Sequence, residues 1–107
     1  MFFCAFTTSF SVQASPQSER LIRAGLVKLT AQDVTGAAKL FNSAVKADKN
    51  DGKARFYLGV ALNRLNLHDL AYGQFQASRR LKQIHRDLGF EAGWAAQATG
   101  RNKAAIT

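Results

Sequence analysis

The chain has 107 residues, which bounds it at one small domain, and 47% of them are hydrophobic, enough for a core and too many for a disordered segment. Fifteen Lys and Arg against seven Asp and Glu leave a formal charge of +8, a balance that favours acidic partners such as nucleic acid, anionic lipid or an acidic protein face. A single Cys excludes an internal disulfide, and a single Pro with no alternating apolar and polar runs predicts an all-α chain.

The first element is MFFCAFTTSFSVQA, residues 1–14, which carries no charge. An apolar stretch closing on Ser-Val-Gln-Ala reads as the end of a secretory signal peptide. Val12 and Ala14 fit the two small-residue pockets of the cleavage site, with Ser15 as the mature start. The stretch is too short to span a bilayer and lacks a basic opening segment, so an uncleaved hydrophobic arm is the other reading. Cleavage predicts a periplasmic or secreted protein; retention predicts a cytoplasmic one.

From residue 18 onward the chain repeats itself. Shifted by 34 residues, RLIRAGLVKL (20–29) falls on ARFYLGVALN (54–63) and then on LGFEAGWAAQ (88–97). Gly25, Gly59 and Gly93 coincide, as do Ala37, Ala71 and Ala105, and Phe41 falls on Phe75. Each unit reads as a helix, a tight break and a second helix, over 18–51, 52–85 and a third at 86–107 that stops early. The breaks fall at Gln32, Asn66 and Gly100. Asn and Gly suit a left-handed residue closing the first helix, and Gln suits it less well. A mid-helix Gly costs about 1 kcal/mol relative to Ala, so Gly59 predicts a packing reason. Small residues on both helices would let the hairpin close tightly, with Phe41 and Phe75 filling the space toward the next unit. One such hairpin cannot bury its own apolar face, so the units must stack.

These positions resemble the tetratricopeptide repeat, a helix–turn–helix unit of the same length. The resemblance covers residues 18–107. It implies a right-handed solenoid of antiparallel helix hairpins, two full repeats plus a truncated third. It also implies binding rather than catalysis, because in that family the first helices line a concave groove. Carried over position by position, the groove holds Ile22, Leu26 and Leu29, then Phe56, Val60, Asn63 and Arg64, then Phe90, Trp94 and Gln97. An apolar helix or extended peptide is the partner such a strip implies. The positions that grip a C-terminal carboxylate in chaperone-binding members hold Ile22, Leu26, Tyr57, Asp87 and Glu91, so that clamp is absent. The aromatics usual in the first helix are replaced by Leu21, Arg55 and Gly89, and by Lys28, Leu62 and Ala96. Exported members often serve envelope machinery, which implies a scaffold in the cell envelope.

Chemistry-bearing constellations are few. His68 and His85 have no Cys or second His at metal-ligand spacing, and no zinc signature, phosphate loop or Ser/His/Asp set occurs, so neither cofactor nor enzymatic activity is expected. Asp48 and Asp51 flank a turn, where Asp is favoured for local hydrogen bonding. The run SRRLKQIHR (78–86) reads as a solvated helix end. Its alternative is a basic patch of Arg79, Arg80, Lys82 and Arg86 for nucleic acid or an anionic membrane. In the truncated unit, the side holding Ala92, Ala95 and Ala96 lacks a covering helix, which predicts self-association through that unit or membership of a longer array.

Overall fold

The computed structural model describes residues 15–81 and 87–100. The described residues form five helices and no strand: α1 Pro16–Thr30, α2 Val34–Ala47, α3 Gly52–Arg64, α4 His68–Arg80 and α5 Leu88–Thr99. None is long and apolar enough to cross a membrane. The leader at residues 1–14, with Cys4, lies outside the described residues, as do Lys82, His85, Arg86 and Ala105.

Local chemistry sets the helix starts. The Ser15 hydroxyl accepts from the Ser18 amide ahead of Pro16, Asp33 accepts from Gly36 at α2, and Asp51 accepts from Lys53 and Ala54 at α3. Each satisfies amide donors that a first turn leaves open. The ends follow one repeated device. Gln32 (φ 70°), Asn66 (φ 64°) and Gly100 (φ 85°) are all left-handed. Asp33 N–H donates to Lys28 and Leu67 N–H to Leu62, both at 2.9 Å, the six-to-one bond of a Schellman cap. Bonds of three-residue span, Gln32 N–H to Leu29, Asn66 N–H to Asn63 and Gly100 N–H to Gln97, recur beside them at 3.0–3.2 Å. Gln32 therefore adopts the strained conformation although its residue type favours it least.

Each helix packs against the next in the chain, and α3 also touches α1 and α5. Two wholly buried rings, Phe41 and Phe75, centre the interior. Phe41 packs with Ile22, Ala37, Ala54 and Leu58; Phe75 packs with Phe56, Val60, Leu88 and Ala92. The glycines explain how the rings get in. A Cβ at Gly25 would overlap the Phe41 ring, and one at Gly59 would come within 2.5 Å of Cε1 of Phe75. The small residue therefore makes room for a side chain rather than for a bare approach of two helix backbones. Phe41 then stacks on Tyr57 of the next hairpin at 5.6 Å, and Phe75 lies 5.8 Å from Phe56 of its own.

Polar bonds tie the hairpins together. The Ser18 hydroxyl donates to the buried Asp51 carboxylate at 2.6 Å, and Ser78 donates to the Gly52 carbonyl at 2.9 Å. Asp48 accepts from the amides of Ser15 and Asn50. Both aspartates thus serve the turn that the sequence assigns them to.

Candidate docking surface

The residues carried over as groove positions separate into two groups. Ile22, Phe56, Val60 and Asn63 are buried, and Leu26 and Leu29 are half-buried against the core. The reason is the stacking itself: α3 covers Ile22, while α5 lays Leu88, Ala92 and Ala95 over Phe56 and Val60. These four side chains hold helices together and offer nothing to a partner, which corrects their assignment to the groove.

Arg64, Phe90, Trp94 and Gln97 are exposed. Phe90 is 76% exposed and Trp94 40%, and they stand four residues apart on one side of α5. With Gly89, Gly93 and Gln97 they line an open pocket of about 600 Å³. Among the described residues, a Cβ at Gly93 would meet nothing within 4 Å, so none of these residues seats a ring on this third glycine. The alanine side of α5 was expected to be open. Ala92 and Ala95 are instead buried and Ala96 is half-buried, because that side already faces α3 and α4. The open side is the aromatic one.

The floor beside Trp94 is a polar network. Asn63, wholly buried at the end of α3, donates through Nδ2 to the Glu91 carbonyl at 3.0 Å and to Glu91 Oε1 at 3.1 Å. That orients its Oδ1 toward His68, whose Nδ1 lies 2.9 Å away and donates to it. The imidazole tilts against the Trp94 ring at 5.6 Å. His68 at the start of α4 and Glu91 in α5 thus meet through one amide, which ties α5 to the α3–α4 hairpin. Sequence reasoning missed this network. The one signal was Asn63 at a position that holds Leu29 in the preceding unit, a polar residue where an apolar one packs.

A second groove of about 410 Å³ runs across α2, α3 and α4, lined by Leu62, Leu65, Leu67 and Leu70 with Lys39 at its edge. Of the basic run, Arg79 and Arg80 are exposed at the end of α4, where Arg79 donates to Gln76 at 3.2 Å. No group of three His, Cys, Asp or Glu able to hold a metal occurs among the described residues. Compared with known proteins, the chain matches no family model and no curated protein.

Proposed function

We propose that this chain is a non-catalytic protein-interaction module that binds its partner through the Phe90 and Trp94 side of α5. The observation that carries the reading is that pocket of about 600 Å³ with two large exposed rings beside a bare glycine. Exposed aromatics around a concavity are the anchors that dominate binding energy at protein interfaces. The reading takes the hairpins as tetratricopeptide-like units stacked in a right-handed solenoid. The repeated Gly–Phe contact and the repeated left-handed break support it. It also moves the docking surface from a groove running along all three units to the open side of the last one. Export to the cell envelope is part of the proposal and rests on the uncharged leader and the Val-Gln-Ala junction. N-terminal sequencing of the secreted fraction should find Ser15 first; intact Met1 on cytosolic protein would remove the export claim.

The test is a selection from a random peptide display library on the chain, with Phe90→Ser/Trp94→Ser as counter-target. Peptides with apolar anchors should be retained by the first and lost by the second. The competing reading, a basic module for nucleic acid or anionic membrane, rests on the +8 charge and exposed Arg79 and Arg80. It requires binding to single-stranded oligonucleotides or anionic vesicles that falls steeply with salt. Such binding, with no peptide distinguishing the two targets, would replace the proposal.

A further inference from the structure

A gap opens where two helices share a third. α2 and α4 each pack on α3 and, among the described residues, not on each other. The space between them is the groove of about 410 Å³, a volume in the range of small-molecule sites. Its floor is α3, with Leu58 buried and Leu62 and Leu65 half-buried. Leu67 and Leu70 form one wall and stand 45% and 60% exposed. The opposite wall is polar: Thr35, Lys39 and Asn42 follow one another along one face of α2. The lining is also sorted along its length. Leu65 and Leu67 flank the turn between α3 and α4, while Gln74 stands nearly two turns into α4, beside Arg55 of α3.

The polar lining is rich in donors. Lys39 is its one charged side chain, and no carboxylate lines the groove. The side chains of Thr35, Lys39 and Asn42 make no hydrogen bond or ion pair among the described residues. Arg55 Nη1 donates to Gln74 Oε1 at 3.2 Å, which occupies the amide oxygen and leaves Gln74 Nε2 to donate elsewhere. An occupant therefore meets an ammonium and amide donors on one side and leucine on the other, which is the chemistry of an apolar chain with an anionic head. No aromatic side chain lines the groove, so nothing there stacks a planar ring. From Thr35 to Asn42 the wall runs roughly 10 Å, the reach of an acyl chain of about ten carbons.

We propose that this groove binds one free medium-chain acyl carboxylate. The carboxylate accepts from Lys39 and from the amides of Asn42 and Gln74, and the chain lies over Leu62 and Leu65 against Leu70. The groove shares no lining residue with the Phe90 and Trp94 side of α5, so the site does not depend on the docking reading above.

The test titrates decanoate, and decanol as the uncharged chain of the same length, into the full chain by calorimetry. Decanoate should bind saturably and one to one, about tenfold or more tighter than decanol. Lys39→Glu should weaken decanoate about tenfold or more and leave decanol unchanged, whereas Leu70→Ser should weaken both. Both side chains are exposed, so helix content should be unaffected. Amide shift mapping should place the perturbations at Lys39, Leu62 and Leu70. No saturable binding, equal binding of the two ligands, full binding of decanoate to Lys39→Glu, or perturbations centred on Phe90 and Trp94 would each overturn the proposal. Binding to phosphatidylglycerol vesicles without binding to free decanoate overturns it too, because the occupant is then a membrane. So does self-association through the groove that decanoate fails to reverse, because the occupant is then a second copy.

Discussion

Gly25 and Gly59 sit in mid-helix, where glycine weakens a helix by about 1 kcal/mol relative to Ala. The overlap of any Cβ with the Phe41 and Phe75 rings outweighs that gain. Gly25→Ala and Gly59→Ala should therefore each destabilise, by about 1–3 kcal/mol from overpacking. Gly93→Ala should stabilise by up to about 1 kcal/mol, since no described atom opposes it. Urea unfolding of the three variants checks the sign at each. A second residue-scale expectation concerns the buried amide. Asn63→Ala leaves Glu91 without its side-chain partner and should cost about 1–3 kcal/mol. Removing both partners in Asn63→Leu/Glu91→Leu should cost less than the two single losses added together, as calorimetry of the four proteins would read. Additive losses would mean that the pair is not coupled.

At the scale of elements, the left-handed breaks give a graded expectation. A non-glycine residue held at positive φ costs about 1–2 kcal/mol, less for Asn, whose side chain bonds locally. Gln32→Gly should raise the unfolding midpoint, and Asn66→Gly should raise it by less; equal or negative shifts would mean that neither residue is strained. The element order was legible from the sequence because one offset carries it. The offset that aligns Gly25 with Gly59 also puts Gln32, Asn66 and Gly100 at the helix ends, and the helices stop there. The purpose of the glycines was half legible: a packing reason was expected, and the ring filling the space was not. Burial at the groove positions was not legible. Phe56 and Phe90 occupy one repeat position, and their difference comes from α5 covering the first, a contact between distant segments that spacing alone does not contain. Nor does spacing tell which side of α5 the preceding hairpin takes, so the alanine side was expected to be open when the aromatic side is. The network of Asn63, His68 and Glu91 lay out of reach for the same reason, since it joins three helices.

Across the described residues, α1 receives the Phe41 ring of α2 on Gly25 and α3 receives the Phe75 ring of α4 on Gly59. The two buried clusters share the half-buried Leu29, Tyr57 and Leu62, and the largest exposed hydrophobic side chains among the described residues are Phe90 and Trp94. The claim that their side of α5 is a docking surface rather than interior turns on two phenylalanines separated by one repeat. The direct measurement is the unfolding free energy of Phe56→Ala set against that of Phe90→Ala. Truncating Phe56, buried under α5, should cost about 3–5 kcal/mol or leave the chain unfolded. Phe90→Ala should stay within about 0.5 kcal/mol of the unmodified chain. Comparable losses at the two positions would mean that Phe90 is core in solution, and the surface proposed for the partner would not exist.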